Sequence, residues 1–372
     1  MKILVINWQD IRNPQSGGAE VHLHQVFSRL SAAGNAVTVL CSSFPGATAV
    51  DALDGMTIVR KGSRSFFHFG VERAYRELRA VSEFDVVVDD MNKIPFTAQR
   101  FVHEPVCGIA HHLFGTSIFR EVDPFTASYV SWMERRALKR YREDAVPFIA
   151  VSPSTREDMM RRGYPGELIR LIPLAVDHTK YRPAPELRSP TPLIGYLGRI
   201  KRYKSINHLI DALPIIREHV PGTRLVIVGD GDERSRLERL VDVKGLGEAV
   251  TFTGYVDEKK KVALLQSLWT LVMPSSKEGW GLTVTEANAC GVVAVASDVP
   301  GLRDAVLDEE TGVLFPYGNR VALAEAVIAV LKEKEKREEM GKKAWEFAQR
   351  FSWDDAATQT LQVLEDVVGA RH

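Results

Sequence analysis

Two glutamates, Glu278 and Glu286, lie eight residues apart in the run Pro274-Ser275-Ser276-Lys277-Glu278-Gly279-Trp280-Gly281-Leu282-Thr283-Val284-Thr285-Glu286-Ala287. The run follows an apolar stretch that reads as a strand, and it opens a helix at Leu282. Gly279 and Gly281 let backbone approach a ligand closely. The free N–H groups at the helix start form an anion site, to which the dipole contributes roughly 0.3–1 kcal/mol per charge. A phosphate is the expected guest. Carboxylates beside a bound anion repel it unless they bind something else, and sugar hydroxyls suit them because one carboxylate accepts two such bonds. An isolated pair would read as one glutamate favoured by the dipole and one solvated. The strand, the glycines and the helix together favour the ligand.

A second constellation, Gly198-Arg199-Ile200-Lys201-Arg202-Tyr203-Lys204, again joins a strand to a helix. Arg199, directly after the strand, and Lys204, at the helix start, are best placed to reach an anion, while Lys201 and Arg202 divide evenly between that role and solvation. The turn after the first strand ends in Gly17-Gly18-Ala19-Glu20. Its length and adjacent glycines exclude the GxGxxG dinucleotide fingerprint, yet Gly17 and Gly18 at a helix start still suit a phosphate or sugar. His22 and His24 fall on different faces of that helix and read as structural. His111 and His112 end the strand Val106–Ala110, where one faces the ligand side and the other the packing side; His111 is the candidate. Gly229-Asp230-Gly231-Asp232-Glu233 places three carboxylates where an anion would bind and lacks a third metal ligand, so it reads as a turn with Asp232 capping the next helix. In the basic stretch 132–142, Trp132, Met133, Ala137, Leu138 and Tyr141 form a stripe that reads as core packing ahead of a membrane-surface helix.

These loops require strands and helices in alternation. In the first half, short apolar runs at Ile3–Ile6, Ala36–Leu40, Met56–Val59, Val86–Val88, Cys107–Ala110, Phe148–Val151 and Leu168–Ile172 are separated by helical periods such as Ala19–Ala33 and Tyr129–Tyr141. Four prolines in Tyr181–Pro192 mark a linker. Strands and helices then resume from Leu193, ending in an amphipathic helix from Trp353 to Val368. The reading is α/β, with two doubly wound Rossmann-like domains facing one another across a ligand cleft: residues 1–180, residues 181–352, and a last helix within 353–372. A length of 372 residues fits two domains. The 48 Lys and Arg balance 48 Asp and Glu, so no global field favours nucleic acid. No apolar run approaches the roughly 20 residues of a spanning helix, and the N-terminus lacks a signal-peptide core, which places the chain in the cytoplasm. Cys41, Cys107 and Cys290 are widely spaced and read as buried hydrophobes, with no metal site.

The Glu278-x7-Glu286 segment, with Gly198, Arg199 and Lys204, the Gly-Asp-Gly at 229–231 and the N-terminal Gly-Gly-Ala-Glu, resembles the retaining glycosyltransferases of family 4, which have the GT-B fold. The resemblance runs along the chain and is strongest from Leu193 to Trp353. It implies a nucleotide-diphosphate-sugar donor held mainly by the C-terminal domain, a saccharide or lipid-linked acceptor held mainly by the N-terminal one, and no metal or other cofactor. By it, Arg199 and Lys204 hold the diphosphate, Glu278 and the backbone of Gly279, Trp280, Gly281 and Leu282 bind the donor sugar, and Glu286 binds the ribose. Gly17 and Gly18 lie against the diphosphate, His111 near the sugar's C6 hydroxyl, and Tyr255 and Val256 beside the base. Retention proceeds by front-face attack or, alternatively, by double displacement through Glu278. Leu174-Ala175-Val176-Asp177 departs from the family's Asn-Gly-Val-Asp, and Trp280 from its commoner Phe. The family's roles add polysaccharide or glycoconjugate synthesis and peripheral contact with the inner face of the membrane. Alternatives are a non-catalytic nucleotide-sugar-binding module, another GT-B enzyme such as a sugar-nucleotide epimerase or a glucan phosphorylase, and a nicotinamide-dependent dehydrogenase, which the missing GxGxxG disfavours.

Overall fold

Continuous Val, Ile and Leu runs bury on both faces, and this drives parallel pairing with helical crossovers. The computed structural model describes residues 1–120 and 123–370. The chain divides into unit 1, Met1–Leu174 with Trp353–His372, and unit 2, Ala175–Ser352. Unit 1 contains β1 (Lys2–Ile6), α1 (Gly18–Ala32), β2 (Ala36–Ser43), β3 (Val50–Leu53), β4 (Met56–Ser63), α2 (Phe67–Arg79), β5 (Val86–Met91), β6 (Val106–Ala110), α3 (Pro124–Glu143), β7 (Phe148–Ala150), α4 (Pro153–Arg161) and β8 (Ile169–Leu171). Its strands run in the order β3-β4-β2-β1-β5-β6-β7-β8. All pair parallel except β3, an antiparallel edge strand on β4 that the sequence reading missed. Val50-Asp51-Ala52-Leu53 is short and half-exposed, so it carries no apolar run.

Unit 2 contains β9 (Leu193–Leu197), α5 (Ile206–His219), β10 (Arg224–Val228), α6 (Arg234–Val243), β11 (Val250–Gly254), α7 (Glu258–Ser267), β12 (Thr270–Met273), α8 (Leu282–Ala289), β13 (Val293–Ser297), α9 (Leu302–Ala305), β14 (Gly312–Phe315), α10 (Arg320–Lys332) and α11 (Lys334–Ala348). Its six strands are all parallel, in the order β11-β10-β9-β12-β13-β14. The final helix, α12 (Trp353–Gly369), belongs to unit 1. It packs along α1, with Arg29 Nε 2.6 Å from Asp354 Oδ1 and the Trp353 ring 6.0 Å from His22.

The proline-rich segment 181–192 is part of unit 2, not a free linker, and the division falls at Leu174/Ala175. Tyr181 is buried, its hydroxyl donates to Glu258, and Gln266 Nε2 donates to the Arg182 carbonyl at 2.9 Å. The prolines therefore follow a packed path over α7.

The long loop between β1 and α1, which delivers Gly17 and Gly18, is anchored through its polar residues. Asn7, Gln9, Asp10 and Asn13 are all buried. Asp10 meets the guanidinium of Arg60 at 2.7 and 3.0 Å, both side chains almost wholly inaccessible. Burial pushes the Asp10 carboxyl up, but hydrogen bonds from Arg60 and the loop backbone hold it below its ordinary value. Removing one partner of such a pair leaves the other charge buried. Asp10→Ala is therefore expected to lower unfolding stability by about 3–5 kcal/mol, measured as a shift in the urea midpoint of unit 1. Because the folded-state pKa is depressed, this stabilisation is present above the unfolded value of about 3.9 and is lost as pH falls through the lower folded one. An unchanged midpoint at neutral pH would show that Arg60 needs no partner.

Candidate functional site

Parallel pairing sends every strand of unit 2 to the same sheet edge at its carboxyl end, so the turns after β9, β10, β12 and β13 are neighbours. The turn after β10 supports the cationic one after β9. A Cβ on Gly229 would lie 2.0 Å from the Gly198 carbonyl oxygen and one on Gly231 2.1 Å from that of Ile200, so only glycine permits the contact. Ile200 N–H then donates to the Asp230 carbonyl at 2.8 Å. Asp232 does not cap α6, contrary to the sequence reading. Glu233 holds the cap position without a side-chain bond, and Asp232 pairs with Lys201 Nζ at 2.8 Å. Lys201 is thereby spoken for on the outside of the turn, while Arg199 is exposed, with Nη2 3.4 Å from the Tyr203 hydroxyl.

Lys204 ends a single 3-10 turn and is buried. Its ammonium donates to Glu278 Oε1, which also accepts from Ser275 Oγ at 2.7 Å. Burial lowers the Lys204 pKa, but the Glu278 carboxylate outweighs it, and the group stays above its ordinary range. Ser276 N–H and Oγ both donate to the Tyr203 carbonyl, at 2.8 and 3.1 Å, tying the glutamate loop to the cationic turn. Gly301, which the sequence reading did not single out, closes the far side: a Cβ there would lie 2.4 Å from the Glu278 carbonyl oxygen.

Gly281 takes the left-handed conformation, φ 95°, at the start of α8, and Leu282 is its first residue. The Trp280 side chain is not available to a ligand. Its indole is buried, donates from Nε1 to Thr285 Oγ1 at 2.8 Å, and packs edge-on against Phe351 at 5.0 Å. The expectation for Trp280 concerns its backbone, and the packed indole anchors that backbone within Gly279–Leu282. Glu286 is buried one turn into α8. Its Oε1 accepts from Lys261 Nζ at 2.6 Å, and its Oε2 is buried without a hydrogen bond. Burial raises the Glu286 carboxyl pKa, and Lys261 only partly offsets that. Lys261, also 5.4 Å over the Tyr181 ring, was not legible as a site residue. Tyr255 follows Gly254 at the end of β11 and is 87% exposed, with Val256 half-buried beside it.

In unit 1, Gly17 N–H donates to Glu20 Oε2 at 2.7 Å, and a Cβ on Gly18 would meet nothing within 4 Å. His111 is buried, Nε2 2.8 Å from Asp90 Oδ1, so it is held in an interior network instead of being displayed at the strand end. His112 is half-buried against Phe114. The His22 ring lies 5.2 Å from His111, and neither of its buried nitrogens has a partner. Burial, then His111, hold its pKa well below the ordinary value, which keeps it neutral. Gln9 Oε1, Asp90 Oδ2 and Asn92 Oδ1 are likewise buried without hydrogen bonds. Native proteins rarely leave such atoms unpaired, and here they gather at the carboxyl ends of β1 and β5. The available signal was Val86-Val87-Val88-Asp89-Asp90, a buried strand ending in two acids.

Among the described residues no helix is long and apolar enough to cross a membrane. Residues 16–180 match Glycosyltransferase Family 4, and residues 177–347 match Glycosyl transferases group 1. The phosphatidyl-myo-inositol mannosyltransferase of Mycobacterium leprae is 30% identical over 94% of this chain and 93% of its own. Among solved structures, sucrose-phosphate synthase from Thermosynechococcus elongatus has a TM-score of 0.87 and 25% identity, covering 99% of each chain. Anabaena HepE in complex with UDP-glucose has a TM-score of 0.79 at 19% identity, covering 98% of this chain and 100% of that one. With two parallel-sheet units of this topology and a match along nearly its whole length, the chain belongs to glycosyltransferase family 4 and has the GT-B fold.

Proposed function

We propose that this glycosyltransferase moves a hexosyl group, with retention of configuration and without a metal ion, from a nucleotide-diphosphate sugar to a hydroxyl of a saccharide or lipid-linked acceptor. The observation that carries the reading is in unit 2, where each glutamate is held by a lysine, Lys204 with Glu278 and Lys261 with Glu286, and Glu286 Oε2 is buried without a donor. A ribose hydroxyl is a fitting donor for that oxygen, and Tyr255 offers an exposed ring to a base. The relatives support the class: one is named for transfer to phosphatidyl-myo-inositol, and one neighbour holds UDP-glucose.

In the reaction, the bond from the anomeric carbon to the diphosphate oxygen breaks as a bond to the acceptor oxygen forms. Charge grows on the departing diphosphate, and Arg199, Lys204 and the amide groups of Gly281 and Leu282 are the groups to stabilise it. Front-face attack, with the departing oxygen taking the acceptor proton, is favoured over double displacement. Glu278 Oε1 already accepts from Lys204 and Ser275, and such bonds reduce a carboxylate's nucleophilicity. Gly17, Gly18 and the His111–Asp90 pair belong in this reading to the acceptor-side unit. Its setting is glycoconjugate or polysaccharide synthesis in the cytoplasm.

Glu278→Gln and Arg199→Ala are each expected to lower kcat/KM by ~100-fold or more, read as nucleoside diphosphate released from a labelled donor, with circular dichroism unchanged. Near-wild-type kcat/KM in either variant would sink the assignment. A second outcome concerns pH. Lys261→Met removes the cation that offsets burial at Glu286, so its already raised pKa climbs further and the loss of donor affinity on acidification should begin at higher pH than in the wild type. Lys261→Arg should restore the wild-type profile. A Lys261→Met profile that coincides with the wild type would remove Glu286 from the donor site.

A further inference from the structure

The residue after Lys204 is held in a conformation that side chains rarely adopt. Ser205 has φ 51° and ψ 35°, the left-handed region, where a Cβ crowds the backbone and glycine does not. Of the five non-glycine residues with positive φ among the described residues, Ser205 alone adjoins a residue of the site. The chain reverses there. Its N–H closes the 3-10 turn on the Arg202 carbonyl at 3.1 Å, and its carbonyl accepts from His208 N–H at 2.9 Å as α5 begins. Ser205 occupies the cap position of α5, yet its side chain makes no capping bond, the usual use of a serine in that place. Something else must hold the turn.

The hydroxyl is committed elsewhere. Ser205 Oγ lies 3.1 Å from Tyr317 Oη, and its other contact, with the Tyr203 carbonyl, is long at 3.4 Å. Ser205 is buried, so without Tyr317 its hydroxyl would keep only that weak bond. Tyr317 arrives from the turn between β14 and α10, 112 residues along the chain, and helix packing sets its place. Asn319 caps α10 by accepting from Ala322 N–H at 3.0 Å. Arg320, the first residue of α10, pairs with Asp211 of α5 at 2.9 Å, and Asp211 also holds Lys244 at 2.9 Å. The Tyr317 ring leans on His208, in the first turn of α5, at 5.7 Å. The hydroxyl that meets Ser205 is therefore fixed from outside the cationic turn.

We propose that Tyr317 is a positioning residue for Lys204: acting through Ser205, it holds the left-handed turn that keeps the Lys204 ammonium on Glu278 and aimed at the departing diphosphate. What Lys204 does there rests on the function proposed above; the hold of Tyr317 on the turn does not. Tyr317→Phe removes the hydroxyl and keeps the ring against His208. Ser205→Gly takes the left-handed conformation without a Cβ, so its turn needs no holding. In the full chain without ligand, amide hydrogen exchange over residues 200–208, read by mass spectrometry, should be about three- to tenfold faster in Tyr317→Phe, as for the loss of one hydrogen bond. Turnover is read as nucleoside diphosphate released from whichever of UDP-glucose, GDP-mannose and ADP-glucose supports it. Tyr317→Phe should lower kcat roughly tenfold with a smaller change in KM, because a displaced lysine is felt most where charge grows in the transition state. In the Ser205→Gly background the same substitution should change either readout by less than about twofold. A loss of global stability alone would shift the urea midpoint, leave kcat of the folded enzyme unchanged and gain nothing from the glycine. Unchanged exchange in Tyr317→Phe, or an equal effect in the Ser205→Gly background, would overturn the proposal. Lys204→Met, or Lys204→Gln if circular dichroism shows the first unfolded, is measured beside these. If it abolishes turnover while Tyr317→Phe exchanges faster at wild-type kcat, Tyr317 does not position Lys204 and the proposal is overturned. Wild-type turnover without Lys204 would instead overturn the role given to the lysine, and the exchange measurement alone then upholds or overturns the hold of Tyr317 on the turn.

Discussion

The buried ion pair between Lys204 and Glu278 is the constraint around which unit 2's site is arranged. A lysine loses much of its hydration in such a place, which lowers its pKa, and the carboxylate supplied from another turn more than offsets that loss. That requirement fixes the two turns against one another. Ser276 is bonded to the Tyr203 carbonyl, Gly229 and Gly231 let a third turn support the first, and Gly301 lets a fourth close behind Glu278. A side chain at any of these glycines would force the turns apart. The site is thus preorganised by backbone contacts that exclude side chains, and the charges are held in place before any ligand arrives.

The same device recurs one helix away. Lys261 and Glu286 form a second buried pair, this time with one carboxylate oxygen left without a donor. Balanced composition thus has a local meaning. The equal numbers of acids and bases include interior pairs in which a lysine is set against a buried carboxylate. In unit 1 the interior polar groups are only partly compensated: Asp90 pairs with the His111 ring, while the buried nitrogens of the neutral His22 beside it have no hydrogen bond. The Asp10–Arg60 pair beneath the β1–α1 loop plays the anchoring part there.

Much of this was legible in the sequence, for physical reasons that also define the limit. Strands buried on both faces are written as unbroken apolar runs, so thirteen of the fourteen strands of the described residues could be anticipated, and β3, half-exposed on the sheet edge, could not. Glycines with cations or carboxylates after a strand marked Arg199, Lys204, Glu278 and Glu286 as candidates, and the structure joins two of those turns through Lys204 and Glu278. What escaped depends on partners far apart in the chain. Lys261 is one of three consecutive lysines at 259–261, and nothing local shows which of them faces Glu286. Asp232 looked like a cap because its partner Lys201 is thirty-one residues away. The inward turn of the Trp280 indole onto Thr285 and Phe351 was likewise not legible, since Phe351 lies seventy-one residues further along the chain.

The proposed function requires unit 2 to hold a nucleotide-diphosphate sugar by paired charges, without a metal ion. The decisive experiment is calorimetric titration of the intact chain with UDP-, GDP- and ADP-sugars in the presence of EDTA. One base class is predicted to bind at one site per chain in EDTA, and to bind at least tenfold more weakly to Glu286→Gln, in keeping with the loss of a charged hydrogen-bond acceptor worth about 1.5–3 kcal/mol. Failure of every nucleotide sugar to bind, or binding that appears only when a divalent metal is added, would contradict it.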